Sequence, residues 1–227
     1  MIEGIFPIYK EKGPTSNRTI QELKKIVGKS KIGHAGTLDP LAEGVLVVAI
    51  GRKFTKEIHK EEAKEKEYLA VVRLGATSDT DDEEGAKTLC EIKRRPSILG
   101  IRRAIGKFVG EIEQKPPVFS AVKIKGEEAY KRARRGERPE MKARKAEIKK
   151  IKIVSYRWPD LKIRVITGPG VYIRSLARDL GETLGTGGYL RALVRTRVGN
   201  FSAKKSFTVS EFKEKLENGK IKQRNLS

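Results

Sequence analysis

The chain reads as an α+β protein built on a mixed, largely antiparallel sheet. Three observations predict this. Apolar residues recur at helical spacing in separate segments, alternating or continuous apolar runs of strand length lie between them, and the two kinds of segment lack the strict βα alternation of a parallel sheet. With 227 residues and 37% apolar side chains there is material for a real core. No internal repeat or flexible linker divides the sequence, so one domain spanning residues 1–227 is the expectation.

Thr15, Ser16 and Asn17 supply N-cap side chains for a first helix, whose apolar face is Ile20, Leu23, Ile26 and Val27 and whose stop is Gly28. Val45 to Ile50 is uninterruptedly apolar, as an interior strand is. Tyr68 to Leu74 alternates as a strand, and Gly75 to Gly85 is an acidic turn region ahead of Thr88 to Ile92. Pro96-Ser97 starts a second helix carrying Ile98, Ile101, Ile105 and Phe108. Leu161 to Ile166 is another alternating strand, turned back on its predecessor by Trp158-Pro159-Asp160. A third helix buries Ile173, Leu176, Ala177, Leu180 and Leu184, which puts Arg174 and Arg178 together on a different face, and Gly185 to Gly188 end it. Leu190 to Leu193 is a brief apolar stretch before Arg195, and a weak helix covers Ser210 to Leu216.

Charge narrows the function. Fifty Lys and Arg against 29 Asp and Glu leave +21, which points to a polyanionic partner, and nucleic acid fits better than a membrane because no segment approaches the ~20 apolar residues of a span. The texture changes from Lys115 to Lys152, where 14 basic and 5 acidic residues follow Pro116-Pro117, as expected of an insertion or arm projecting from the core. One cysteine, Cys90, makes no internal disulfide, and no signal-peptide pattern occupies the first twelve residues, so a cytoplasmic protein is expected.

Several familiar motifs fail on spacing. Gly28-Lys29-Ser30 ends like a P-loop, but Leu23 stands where its first glycine belongs. Gly185-Thr186-Gly187 starts like a dinucleotide fingerprint but closes a helix and has Leu190 at the third glycine. Asp79-Thr80-Asp81-Asp82 resembles a calcium loop with Glu84 at the turn glycine and Cys90 at the last ligand. Two histidines and one cysteine cannot assemble a zinc cluster with normal spacing. The expectation is chemistry on a nucleic acid with no metal and no cofactor.

Lys31 to Leu46 is where that chemistry is best placed. Gly33, Gly36 and Asp39-Pro40 shape a loop ahead of the buried Val45–Ile50 run, and such a loop can present one carboxylate, Asp39, rigidly. Alone, an aspartate before proline is more often a turn residue, Tyr68 a strand aromatic and Arg174 a helix-surface charge.

The run from Gly33 to Leu46, Gly-His-Ala-Gly-Thr-Leu-Asp-Pro-Leu-Ala-Glu-Gly-Val-Leu, followed by Gly51 and Thr55-Lys56, resembles the signature of the TruB-type tRNA pseudouridine synthases. Four blocks agree in order: Gly13–Ser16, Gly75–Asp81, Gln114–Lys123 and Tyr172–Leu176. The resemblance implies a pseudouridine synthase fold and an enzyme that converts uridine to pseudouridine at tRNA position 55, in the T loop. The N-glycosidic bond breaks, the base rotates, and the base rejoins through carbon 5, without cofactor or metal. It implies Asp39 as the catalytic aspartate, Tyr68 as the residue stacked on the flipped base and a candidate for removing the carbon 5 proton, and Arg174 as the arginine paired with the aspartate. Tyr172 and Leu193 would line the pocket, and Lys10 would contact phosphate or the active site. His34 would stack where the base departed, since a base inside a folded loop must be extruded before it can react.

The basic stretch of about 117–145, with Lys123, Arg134 and Arg135, matches a thumb-like insertion that grips the T stem-loop of tRNA. A monomer needing no protein partner and lacking a C-terminal PUA domain is the expectation. The sequence departs from the family pattern at Glu11, where proline is usual, at Thr167 to Val171, and at Val194. Two alternatives stand beside this reading: a guide-RNA-dependent pseudouridine synthase and a tRNA folding chaperone.

Overall fold

The computed structural model of the chain describes residues 2–221. Its strands and helices run β1 (Gly4–Lys10), α1 (Ser16–Val27), β2 (Ile32–Ala35), β3 (Ala42–Ile50), α2 (Arg52–Glu62), β4 (Lys66–Leu74), β5 (Ala76–Ser78), β6 (Lys87–Leu89), α3 (Ile98–Gly106) and β7 (Gly110–Gln114). They continue with β8 (Lys123–Ile124), β9 (Glu127–Glu128), α4 (Ala129–Arg134), β10 (Arg144–Arg157), β11 (Asp160–Thr167), α5 (Ile173–Thr183), β12 (Gly188–Val198), β13 (Phe201–Ser202) and α6 (Val209–Glu217). The class is the expected one, a mixed α+β protein with a mostly antiparallel sheet. The chain divides into two compact units, one holding residues up to Tyr68 together with those from Leu193 onward, the other Leu69–Ala192. Among the described residues no helix is long and apolar enough to cross a membrane.

In the first unit β3 is the organising strand. Every residue from Val45 to Ile50 is fully buried, so both faces need cover. β1 pairs antiparallel along one edge, from Gly4 opposite Ile50 to Lys10 opposite Gly44, while the other edge takes β2 antiparallel and the end of β12 in parallel, Leu193 opposite Ala42. Leu46, Val48 and Ile50 pack with Phe6, Ile8, the α1 stripe of Ile20, Leu23 and Val27, and Phe212 of α6. Val45, Val47 and Ala49 pack with Ile5, Ala35, Phe54 of α2 and Val198. The caps fall where the sequence places them: Thr15 accepts from the Arg18 N–H, and Gly28 takes a φ of 71° at the far end of α1.

In the second unit β11 and β10 form an antiparallel pair from Arg157 opposite Asp160 back to Ile148 opposite Thr167, and β7 joins the free edge of β10 with Gln114 opposite Arg144. Arg73 of β4 and Arg191 of β12 both bond Asp160. The long basic run therefore divides. Arg144–Lys152 is not part of a projecting arm but the first half of a 14-residue strand, whose inward positions Ala146 and Ile148 are buried while the lysines point out. Residues between β7 and β10 carry only the short β8–β9 hairpin and α4. Likewise Leu190–Leu193 is the middle of an 11-residue strand rather than a brief apolar stretch, because its charged residues bond to neighbouring segments. The sequence reading had no counterpart for α2, whose only large apolar residues are Phe54 and Ile58 among charged ones.

Gly44 sits at the junction of three strands with φ 110°, and a Cβ there would lie 2.3 Å from the Arg195 carbonyl oxygen. Gly44→Ala is therefore expected to cost about 2–5 kcal/mol, read as a lower urea midpoint at unchanged m-value. A midpoint within error of wild type would show that β12 can yield.

Candidate active site

The segment from Gly36 to Leu41 links β2 to β3 and is pinned from several sides. Ser16, the first residue of α1, holds Leu38 twice: its Oγ accepts from the Leu38 N–H at 2.8 Å and donates to the Leu38 carbonyl at 2.9 Å. The Gly13 N–H donates to the Pro40 carbonyl at 2.8 Å, and the Ala42 N–H to that of Asp39 at 3.0 Å. Lys10 is fully buried and donates from Nζ to the Ala42 carbonyl at 2.6 Å. The Gly13–Ser16 block is thus the clamp of the Asp39 loop, and Lys10 bonds the start of β3, three residues after Asp39. Asp39 itself is half-buried.

Tyr68 on β4 is 7% exposed and lies within electrostatic reach of the Arg195 guanidinium. Burial pushes its phenol pKa up, with the Arg195 charge opposing and the Asp39 carboxylate adding to the rise. Arg195 is the buried residue at the centre of this candidate site that sequence reasoning missed. It is 1% exposed, donates from Nε to the Val45 carbonyl at 2.8 Å and from Nη2 to the Gly36 carbonyl at 2.9 Å, and interacts electrostatically with Asp39. The available signal was parity: Leu193 faces inward on β12, so Arg195, two residues on, must too.

His34 is half-buried, and its Nδ1 has no hydrogen-bond partner among the described residues. Burial and then the Arg195 charge lower its pKa from the ordinary value of 6.5, so the ring is neutral at physiological pH. Leu193 is 7% exposed and pairs with Ala42, three residues after Asp39. The first unit thus brings Asp39, Tyr68, His34, Lys10 and Leu193 around Arg195 and the pinned loop.

The second unit holds the other sequence-derived residues. Arg174 is not a surface charge: the first turn of α5 turns it inward to 6% exposure, where it donates to the carbonyls of Thr80 at 3.2 Å and Phe119 at 2.8 Å and lies 3.5 Å from the Asp82 carboxylate. Asp82 is fixed in turn by Thr80 Oγ1 at 2.6 Å and the Glu84 N–H at 3.0 Å. Asp81 pairs with Arg178 at 2.7 Å. The acidic turn that resembles a calcium loop is therefore a cradle for the two α5 arginines. Tyr172 precedes α5 and is half-buried. The Gln114 side chain grips its backbone like a strand neighbour, accepting from the Tyr172 N–H at 2.8 Å and donating to its carbonyl at 3.0 Å.

Lys123 is exposed at the start of the β8–β9 hairpin. Arg134 lies over the Tyr130 ring at 5.5 Å, and Arg135 is held by Glu127 and Glu137. Glu127 and Glu137 are partly exposed, and their hydrogen bonds to arginine, Arg135 for the first and Arg132 and Arg135 for the second, lower their pKa values.

Lys66 yields a pH prediction. It is 5% exposed and donates to the carbonyls of Glu62 at 2.6 Å and Lys64 at 2.9 Å, closing the C-terminal end of α2. Burial, and then the Arg195 charge, lower its pKa to about 8 from 10.5. Between those values the unfolded chain binds more protons at this residue than the folded one, so its contribution to stability rises with pH from about 8 to 10.5 and is least favourable below 8. Wild type should gain on Lys66→Met across that window in urea denaturation, and parallel curves would refute the coupling.

The TruB family pseudouridylate synthase N-terminal domain model matches residues 24–173, and the tRNA pseudouridylate synthase B C-terminal domain model matches residues 174–226. The chain is 43% identical over 197 residues to tRNA pseudouridine synthase B of Phocaeicola vulgatus, covering 87% of this chain and 83% of that one. It is 40% identical over 223 residues to the protein of the same name from Thermobifida fusca, covering 93% and 74%. Among solved structures, a chain of a Cbf5-Nop10-Gar1 complex superposes with a TM-score of 0.72 at 30% identity over 96% of this chain and 57% of that one. An H/ACA ribonucleoprotein bound to a substrate RNA containing 2'-deoxyuridine gives 0.70 at 27% identity over 96% and 56%. With the two family models matched over residues 24–173 and 174–226, the chain belongs to the TruB family of pseudouridylate synthases.

Proposed function

We propose that this protein is a tRNA pseudouridine synthase that isomerises uridine-55 in the T loop, acting on free tRNA as a monomer in the cytoplasm. The observation that carries the reading is the loop itself: one half-buried carboxylate, Asp39, held between the Ser16 clamp and the buried Arg195. Pinning from both sides supplies the preorganisation a reaction of a large rigid substrate needs.

In the proposed sequence, binding extrudes the target uridine at a cost of a few kcal/mol. His34, neutral and planar, stacks in the gap. Asp39 acts on the nucleotide as the bond between N1 and the ribose carbon 1′ breaks. The base turns within a pocket to which the family resemblance assigns Tyr68, Tyr172 and Leu193, and carbon 5 bonds to carbon 1′. The carbon 5 proton leaves, with Tyr68 or a group it orients as acceptor, and N1 takes a proton, so the reaction is a balanced isomerisation. Positive charge at Arg195 favours negative charge on Asp39 and Tyr68 in a dry site. We assign Arg174 the charge-partner role that the family resemblance gives it, with Asp82 and two carbonyls supporting its orientation. Lys123, Arg134 and Arg135 belong to the proposed thumb that grips the T stem.

Guide-dependent action, the alternative that the family resemblance leaves beside this one, is the second reading. Purified protein with an unmodified tRNA transcript separates the two: pseudouridine without guide RNA is expected, and activity only after adding a guide particle would favour the second. Asp39→Asn is expected to bind the transcript normally while pseudouridine formation falls by roughly four orders of magnitude or more. Persistent RNA refolding by that variant would show a chaperone role beside catalysis.

For the thumb, charge reversal at Arg134 and Arg135 should weaken binding and flatten the dependence of affinity on salt by about 0.7–0.9 for each phosphate that is no longer neutralised. Unchanged affinity would return these residues to a solvated face.

A further inference from the structure

Gly28-Lys29-Ser30 fails as a P-loop, yet Lys29 and Ser30 line a surface cleft of about 550 Å3 in the first unit. Its walls are Lys24 from the last turn of α1, the Lys29–Ile32 segment entering β2, the Gly51–Arg52 junction where α2 begins, and Glu3 ahead of β1. None of these residues belongs to the catalytic set.

Three independent features give the cleft a sign and a ligand class. Lys24, Lys29, Lys31 and Arg52 are exposed, and their side chains have no carboxylate or hydrogen-bond partner among the described residues, whereas Lys60 on α2 and Lys64 just beyond it are paired with Glu57 and Glu61. Clustered unpaired cations repel one another and favour an external anion. Second, Ser30 is 8% exposed and its Oγ has no hydrogen-bond partner among the described residues, a hydroxyl that lacks an acceptor inside the protein. Third, the cap residue of α2 is Gly51, which has no side chain to offer, so capping of the first-turn N–H groups is left to groups outside the helix. A carboxylate already leans on that end: a Cβ at Gly51 would lie 2.7 Å from Glu3 Oε1.

We propose that this cleft binds a backbone phosphate of the RNA substrate, through Lys29, Arg52, the Ser30 hydroxyl and the start of α2, with Glu3 giving way. The proposal rests on the tRNA reading above. Six residues separate Ser30 from Gly36 of the catalytic loop, a reach of at most about 20 Å, so an RNA strand seated on that loop has phosphates within range at high effective concentration. The lining holds no aromatic side chain to stack a base, which suits a contact that positions the strand without reading sequence.

The test compares K29Q/R52Q with K25Q/K204Q, which removes the same charge from exposed positions outside the cleft. With an unmodified tRNA transcript, K29Q/R52Q should raise KM several-fold with kcat at saturating tRNA little changed, and reduce the salt slope of binding by about 0.7–0.9 per phosphate no longer neutralised, while the control pair stays at wild type. E3Q should move KM the other way. Equal effects of the two double variants would mean bulk charge and overturn the site. Unchanged KM and slope in K29Q/R52Q would overturn it too, including the case where wild type but not the variant binds pyrophosphate in a thermal-shift titration, which would make the ligand a free anion. A wild type that forms no pseudouridine yet shows the variant-dependent slope would sink the catalytic reading and leave the cleft standing.

Discussion

Arg195 is the largest side chain buried completely, and its charge sets the conditions for its surroundings. Taking a guanidinium out of water costs several kcal/mol unless its donors are met. Here the Gly36 carbonyl at the loop and the Val45 carbonyl on β3 accept from it, and the Tyr68 phenol on β4 adds a favourable electrostatic contact. Each partner comes from a different element, so moving any one strands a buried charge. The loop is therefore held by electrostatic necessity as well as by Ser16, and the glycines follow from that geometry: at Gly36 a Cβ would lie 3.4 Å from the guanidinium, and at Gly44 it would strike the Arg195 backbone.

The same cation explains why neighbouring groups depart from their ordinary behaviour. It adds to burial in lowering His34 and Lys66 and opposes burial at Tyr68. One positive charge in a dry environment thus favours a neutral imidazole and a less costly phenolate near one carboxylate. The second unit uses the same device with a different counter-charge, since Arg174 meets Asp82 on a turn whose own hydroxyl and N–H groups fix that carboxylate. Each proposed catalytic element is set by a buried arginine that gathers carbonyls distant in sequence.

Where local chemistry decides structure, the sequence was legible. The caps of α1 and α3, the buried β3 run and the strand character of β4 follow from residue type and spacing alone. Legibility ended where charge and burial parted company. β10 hides two buried positions among lysines, and Arg174 and Arg195 are arginines that go inward. Periodicity assigns such residues to the surface because it cannot see the carbonyls that receive them, which lie 55 and 94 residues away for Arg174 and 150 and 159 for Arg195. The family blocks carried Asp39 and Arg174, but no block of the sequence marked Arg195 or Asp82 as part of a site.

Net charge is also a poorer guide to RNA contact than it first suggests. Of the +21, part is structural: Arg195, Arg174 and Lys66 are buried, and Arg135, Arg132 and Arg178 are committed to carboxylates. Within the thumb, Glu127 and Glu137 hold Arg135 so that it shapes the hairpin end as much as it projects charge, leaving Lys123 and Arg134 more exposed to a ligand. A phosphate that displaced those carboxylates would have to outbid two existing pairs, whereas one arriving at unpaired cations gains its full counterion release. The salt dependence of binding should therefore track the unpaired cations rather than the total, and the places where such cations cluster around a helix end without a side-chain cap are where RNA contact is least expensive.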